Sequence, residues 1–292
     1  MHIQNFLTIW QNLPGKIDPE LFQVGSFSIR WYSIGYLLAF ATTLGLVWWR
    51  INRKEFDTQK LPAKQIKEIT LDVFSILIFG MMIGARLGYF IFYDWTTILN
   101  APGKIFIPGV NGFFGFSFHG GLIGALLGVW FYCRYNKLSL KALGNLIIPA
   151  IPLGLFWGRL GNFFNGELFG HETTQPWGMH FLPDQTTLQH PSQLYEALGE
   201  GVIIFVVLWT LRNKKWAQGN LISLFLILYG LIRFVIEFFR ASPPEHIILN
   251  FLTTGQVLCL AMIISGIYLF KNSKSKTSSS KYINHNFQNS SL

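Results

Sequence analysis

The chain has 292 residues, of which 51% are hydrophobic and only 13% charged, with a formal net charge of +9. Soluble domains carry charge on about 25% of their residues, so this composition fits a water-soluble globule poorly. Two cysteines, Cys133 and Cys259, say nothing of a disulfide framework and are expected to be small packing residues.

Apolar segments near the length needed to cross roughly 30 Å of hydrocarbon as helix recur seven times. In chain order they run from about Arg30 to Trp49, Leu71 to Phe92, Phe113 to Tyr135, Leu143 to Trp157, Gln193 to Leu211, Leu221 to Phe239 and Ile247 to Phe270. The expected fold is therefore all-α, a polytopic integral membrane protein of seven transmembrane helices.

Lysine and arginine mark the cytoplasmic connections of such proteins. Arg50, Arg53, Lys54, Lys60, Lys64 and Lys67 follow the first span, Arg134, Lys137 and Lys141 the third, Arg212, Lys214 and Lys215 the fifth, and Lys271, Lys274, Lys276 and Lys281 the seventh. The opposite connections hold only Lys16, Arg30 and Lys104. This alternation predicts an amino terminus outside and a carboxyl terminus in the cytoplasm. Basic loops facing an anionic leaflet also account for the net charge without any nucleic acid.

Residues 1–29 form an outer-face segment with room for a short interfacial helix, and their sequence lacks the charged leader and apolar core of a cleaved signal. The membrane domain spans 30–270, with outer-face loops at about 96–112 and 166–191. The Lys- and Ser-rich tail, 271–292, is expected to be disordered and cytoplasmic. Gly80, Gly84 and Gly88 recur every four residues in the second span, and Gly120, Gly124 and Gly128 in the third, a spacing that lets helix backbones approach closely. Neither an internal repeat nor inverted halves are present.

Four arginines fall at membrane depth: Arg86, Arg159, Arg233 and Arg240. Each costs about 2.5 to 3.5 kcal/mol at the bilayer centre, so each must face protein, water or a bound anion. On the sixth span Tyr229, Arg233, Glu237 and Arg240 fall within a stripe about 80° wide. Glu237 neutralises one arginine there, which leaves a positive excess; a structural ion-pair ladder is the alternative. His119 sits among glycines early in the third span, as a hydrogen-bonded structural group or a base. Arg86 and Asp72 on the second span fit structural ion pairs as well as a functional role.

The densest polar stretch is "GRLGNFFNGELFG" at 158–170. Arg159 is expected to follow the fourth span directly, with Asn162, Asn165 and Glu167 close behind. Asparagine amides donate and accept, and the planar fork of arginine matches phosphate oxygens, so the cluster suits a lipid headgroup. His190, Ser192, Gln193, Tyr195 and Glu196 add polar groups where the fifth span begins.

This stretch resembles the signature of the bacterial prolipoprotein diacylglyceryl transferase family. Supporting matches follow in family order: "RWYSIGY" at 30–36, "GARLGYFIFY" at 84–93, "FHGGLIG" at 118–124, "HPSQLYEAL" at 190–198, "YGLIRFVIEFFR" at 229–240 and, more weakly, "TGQVLCL" at 254–260. The resemblance implies a transferase of the bacterial cytoplasmic membrane. It would move the diacylglyceryl group of phosphatidylglycerol to the lipobox cysteine thiol of a prolipoprotein signal peptide, releasing glycerol phosphate, with no metal or organic cofactor. Carried over residue by residue, it makes Arg159 and Asn162 phospholipid-binding and catalytic positions, closed by Glu167 and Gly170. His119 and Tyr32 match residues needed for activity, and Tyr229, Arg233, Glu237 and Arg240 match a functional helix. Arg86 joins the expected phosphatidylglycerol contacts. The stretch "ASPPEHIILNFLT" and the outer loop after Gly170 match no family pattern.

In that chemistry a thiolate attacks the glyceryl carbon and negative charge grows on the departing phosphate. Arg159 and Arg233 are expected to meet that charge, with Glu237 and Glu167 orienting the arginines. An unperturbed thiol has a pKa of about 8.5. Either His119 takes its proton, or the arginine field lowers its pKa and His119 holds the headgroup. Without the motifs, the same arginines would also fit an anion or lipid transport path.

Overall fold

The computed structural model describes residues 2–25, 27–55, 61–103, 115–182, 186–241, 247–248 and 252–272. In chain order its elements are α1 (His2–Gln11), β1 (Glu20–Val24), β2 (Phe27–Arg30), α2 (Trp31–Asn52), α3 (Ala63–Tyr93), α4 (Trp95–Asn100), α5 (Phe118–Tyr135), α6 (Leu140–Ile147), α7 (Ile151–Phe164), β3 (Glu172–Thr173), β4 (Leu188–Gln189), α8 (Ser192–Glu196), α9 (Ile204–Leu211), α10 (Leu221–Ile236), β5 (Ile247–Ile248), β6 (Leu252–Thr253) and α11 (Thr254–Asn272). Short 3-10 turns join α6 to α7 and extend α10 to Phe239, and a π-helical segment, Ala197–Ile203, joins α8 to α9.

Among the described residues, six helical stretches are long and apolar enough to cross a membrane: Trp31–Asn52, Ala63–Tyr93, Leu140–Phe164, Ser192–Leu211, Leu221–Phe239 and Thr254–Asn272. They match six of the seven predicted spans. The predicted third span is also helical, but as α5 it begins at Phe118, and residues 104–114 lie outside the described set, as do 273–292 of the expected tail. Large side chains such as Leu37, Phe79, Phe131, Val206, Leu231 and Ile264 are exposed on these helices, which a water-soluble fold would bury.

Two of the boundaries that differ from the sequence expectation have clear local causes. The second span starts at Ala63, because "AKQIKEI" is rich in helix formers and follows Pro62. The last span starts at Thr254, seven residues late, because Ile247–Ile248 pairs antiparallel with Leu252–Thr253 as β5–β6. A capping box then starts α11. Gln256 N donates to Thr253 Oγ1 (3.1 Å), and Thr253 N donates to Gln256 Oε1 (3.0 Å).

The described residues divide into two compact units, one up to Arg50 and from Gly144 onward, the other from Ile51 to Leu143. In the first, Ile204, Leu208, Ala217 and Leu221 form a core on which Leu224, Leu228 and Tyr229 pack. A second core of Phe163, Met179 and Phe181 lies under Trp10 and Leu13. It is covered because Trp10 Nε1 donates to the Trp177 carbonyl at 2.9 Å and His180 N to the Gln11 carbonyl at 2.8 Å, fastening α1 to the loop before β4. Arg50 is buried, donating to the carbonyls of Asn145 and Leu146, and Asn145 Oδ1 accepts from Leu221 N at 2.9 Å.

In the second unit, α3 and α5 pack backbone to backbone. A Cβ on Gly84 would strike the Gly120 carbonyl and Gly124, and one on Gly80 or Gly88 would strike Gly124 or Gly120. The fourth-residue glycine spacing is thus a contact stripe. Tyr132 donates to Asp72 Oδ2 at 2.7 Å across the same pair, giving that acid a phenol rather than an arginine as its partner. Cys133 and Cys259 are buried free thiols.

Candidate active site

Helix α7 begins with Pro152 in its first turn and runs through the signature to Phe164. Arg159 therefore stands inside the helix, not after the span as its sequence suggested. Two residues beyond the helix end the backbone enters the left-handed region at Gly166 (φ +65°) and again at Leu168 (φ +59°), folding the chain back sharply. Side chains from α8 hold this turn: Ser192 Oγ donates to the Leu168 carbonyl (2.9 Å) and Gln193 Nε2 to the Glu167 carbonyl (2.7 Å).

Asn162 and Glu167 close the turn from inside. Asn162 is buried and its Nδ2 donates to Glu167 Oε1 at 2.8 Å, while Glu167 N donates to the Asn162 carbonyl at 3.1 Å. Glu167 thus orients an asparagine amide, which corrects the expectation that it orients an arginine. Gly170 pairs with Arg240 in an antiparallel bridge and donates its N–H to the His190 carbonyl at 2.8 Å. A Cβ there would run into the Phe239 carbonyl and His190, so only glycine lets the loop lie against the residue preceding Arg240.

Three arginines of this unit, Arg159, Arg233 and Arg240, converge on three glutamates. Glu196 Oε1 accepts from Arg233 Nη1 at 2.5 Å and from Arg240 Nη1, and its Oε2 lies 3.0 Å from Arg159 Nε. That last contact is coulombic rather than a hydrogen bond, since Glu196 Oε2 lacks a hydrogen-bond partner among the described residues. Glu200 accepts from Arg159 Nη2 at 3.3 Å and from Arg233 Nη1 at 3.2 Å. Glu237 accepts from Arg233 Nη2 at 2.8 Å and lies 3.7 Å from Arg240 Nε. It is held in turn by Thr253 Oγ1, which donates to it at 3.0 Å.

The positive excess expected on the α10 stripe is therefore absent: Arg159, Arg233 and Arg240 face Glu196, Glu200 and Glu237. Removing one partner from a buried ion network leaves an uncompensated charge, a penalty of about 3 to 5 kcal/mol. The balance is not symmetrical in space, however. The side chains of Glu196 and Glu200 are 0% exposed and that of Glu237 6%, whereas those of Arg159, Arg233 and Arg240 are 20%, 14% and 19% exposed. The carboxylate side chains are thus more completely buried than the arginine side chains that pair with them.

The remaining predicted residues sit as follows. Tyr32 opens α2 with its hydroxyl 2.7 Å from that of Tyr36, and its backbone lies against Gly161 between Arg159 and Asn162. Tyr229 stands one turn before Arg233, its ring 5.5 Å from that of Phe225. His119 and Arg86 belong to the other unit. His119 is exposed in the first turn of α5, which Ser117 caps by accepting from Gly120 N. Arg86 is buried, with its guanidinium over the Phe90 ring and its Nη1 donating to the Gly115 carbonyl at 3.4 Å.

Sequence reasoning missed Glu200 and gave Glu196 no role. The signal was present: two carboxylates four residues apart inside an apolar span violate the same energetic rule that singled out the arginines. It also passed over Thr253 and Gln256, although "TTGQ" spells a capping box.

Residues 19–271 match the family model described as prolipoprotein diacylglyceryl transferase. Three relatives carry the name phosphatidylglycerol–prolipoprotein diacylglyceryl transferase. One from Chlorobaculum tepidum is 42% identical, over 93% of this chain and 95% of its own length. One from Nitratidesulfovibrio vulgaris is 40% identical, over 88% and 94%. One from Coxiella burnetii is also 40% identical, over 86% and 93%.

Proposed function

We infer the activity of this protein from its kinship, for the chain belongs to the prolipoprotein diacylglyceryl transferase family. It transfers the diacylglyceryl group of phosphatidylglycerol to the lipobox cysteine of a prolipoprotein. The observation that carries this beyond the name is the ion cluster, in which three arginines converge on buried carboxylates and keep more side-chain exposure than those carboxylates do. A cluster paired in this way can receive an anion without presenting a bare cationic pocket to the membrane.

The reaction follows from that cluster. The acceptor thiolate attacks the glyceryl carbon that bears the phosphodiester oxygen, a carbon–sulfur bond forms, and the carbon–oxygen bond breaks with its electrons passing to the phosphate. The thiol proton is given up, and the glycerol phosphate leaves with one more negative charge than the diester carried. Arg159 and Arg233 stabilise that growing charge, which a water-poor surrounding makes more effective. Arg240 and Glu237 fix Arg233, while Asn162, Glu167 and Gly170 shape the turn beside Arg159. Tyr32 and Tyr229 complete the phosphatidylglycerol site. His119 takes part as thiol base or headgroup ligand, and Arg86 as a further lipid contact, on the strength of the family motif.

We place the enzyme in the cytoplasmic membrane with seven spans, the amino terminus outside and the carboxyl terminus in the cytoplasm. Helix α5, about 27 Å long at 1.5 Å per residue, supplies the seventh. Basic connections on alternate sides support this orientation. Arg212, whose guanidinium lies 4.2 Å over the Trp209 ring and 5.4 Å from that of Trp49, fits a membrane interface at the end of the fifth span.

The test combines purified protein, phosphatidylglycerol and a lipobox peptide, and weighs the peptide. A diacylglyceryl mass on the cysteine, stable to thioester cleavage, is the expected product. Lipid movement across a vesicle without that product would replace transfer by transport.

A further inference from the structure

We propose that Glu200 is a positioning residue which sets the distance between Arg159 and Arg233, and that the sequence Gly199-Glu200-Gly201 is built around this task. The proposal rests on the activity inferred above. Its starting point is that the two arginines come from different helices, α7 and α10, and that their guanidiniums share the carboxylate of Glu200. One oxygen accepts from Arg159 at 3.3 Å and the other from Arg233 at 3.2 Å, in a side chain that is fully buried. A carboxylate whose two oxygens each hold one fork fixes both forks relative to each other.

The backbone around Glu200 is shaped to put it there. Residues 197–203 form π-helix, a wide turn that is frequent at functional sites within helices. Glycine flanks the glutamate on each side, and each glycine contacts a different neighbour. A Cβ on Gly201 would lie 2.9 Å from Phe156 Cα, three residues before Arg159 on α7. A Cβ on Gly199 would lie 2.7 Å from Ile232 Cγ2, the residue before Arg233 on α10. The wide turn is thus wedged between the two arginine-bearing helices, and the residue between the glycines reaches both charges.

Glu196 touches the same arginines but divides its oxygens among three partners, including Arg240. Among the described residues, Glu200 forms ion pairs with the two arginines assigned to the leaving phosphate, Arg159 and Arg233. Its loss should disturb the chemical step more than the binding of the peptide, because misplacing a transition-state donor by about 1 Å costs on the order of 100-fold in rate.

The experiment uses the full chain in lipid-containing micelles with phosphatidylglycerol and a lipobox peptide. Wild-type protein must first yield the thioether product; its absence removes the inferred activity, whereas the variants bear on the role of Glu200 alone. Glu200→Asp keeps the charge but draws the carboxylate back by about 1.5 Å, one carbon–carbon bond. It is expected to lower kcat at least ~10-fold while the KM for the peptide changes by less than ~2-fold. Arg159→Lys, costing ~100-fold in the wild-type background, should cost less than ~10-fold in the Glu200→Asp background, since the register it disturbs is already lost. Glu200→Gln should reproduce the kcat loss if it folds; if it does not, the aspartate variant decides alone. A kcat for Glu200→Asp within ~2-fold of wild type overturns the proposal, and so do Arg159→Lys and Glu200→Asp losses that simply multiply.

Discussion

Thr253 donates its hydroxyl proton to Glu237 across 3.0 Å, so the residue that caps α11 also holds the acid that orients Arg233. Gly255 makes room for that acid: a Cβ there would come within 2.5 Å of Glu237 Oε1 and 2.8 Å of its carboxyl carbon. The atoms in the way are the end of a side chain, so the chain as a whole can accommodate the intrusion, but Glu237 must leave its place. Gly255→Ala is therefore expected to lower kcat roughly 10-fold or more and, because Arg233 and Arg240 lose a buried partner, to lower stability by up to about 3 to 5 kcal/mol. Thr253→Val, losing a hydrogen bond to a charged group, should cost about 1.5 to 3 kcal/mol of stability or an equivalent loss of rate. Steady-state rates and melting curves of the two variants check both.

Arg159 makes its two ionic contacts through different nitrogens, Nε toward Glu196 and Nη2 toward Glu200. An ammonium has one charge centre and does not reproduce that fork. Arg159→Lys should consequently be almost as damaging as Arg159→Ala, each lowering kcat/KM by about 100- to 1,000-fold. Retention of near-normal turnover by the lysine variant would remove the bidentate role.

What the sequence revealed and concealed divides along a physical line. Long apolar runs announced six helices, because crossing hydrocarbon fixes their length and composition together. Arginines in those runs announced the ion cluster, because a charge there demands a partner. The partners were harder to see. Glu196 and Glu200 lie in a span whose polar start drew attention to the headgroup chemistry of "HPSQLYE", and their pairing depends on three helices meeting. The apolar "IILNFLT" before α11 reads as the start of a span, since hydropathy does not distinguish a short apolar strand pair from one turn of membrane helix. The place of Arg159 inside α7 likewise depends on partners that only the folded chain supplies.

Glycines in the spans make separable predictions. Gly84 faces Gly120 and Gly124 at backbone contact, whereas a Cβ on Gly45 of α2 would meet nothing within 4 Å. Gly84→Ala should thus force α3 and α5 apart and lower stability by about 1 to 3 kcal/mol. Gly45→Ala should be neutral or stabilising by up to about 1 kcal/mol, because alanine is the better helix former. Thermal midpoints of the two variants in the same micelles give the comparison.

His190 stands at the edge of the fifth span, outside it, and predicts a pH dependence. Trp177 Nε1 donates to Tyr195 Oη at 2.8 Å, and Tyr195 Oη lies 3.0 Å from His190 Nδ1. An indole N–H only donates, so the tyrosine oxygen accepts from it and its own proton is directed at His190, which suits a neutral imidazole. Burial, and then the neighbouring His171, hold the His190 pKa below its ordinary value. In the unfolded chain that value is about 6.5, so between the two values the unfolded state binds more protons. The contribution of His190 to stability is therefore complete above about pH 6.5 and is lost as pH falls through the depressed folded value. Melting midpoints of wild-type protein should decline over that acid window more steeply than those of His190→Gln, which has no proton to gain there. Parallel curves for the two proteins would show that the histidine is not held neutral by its fold.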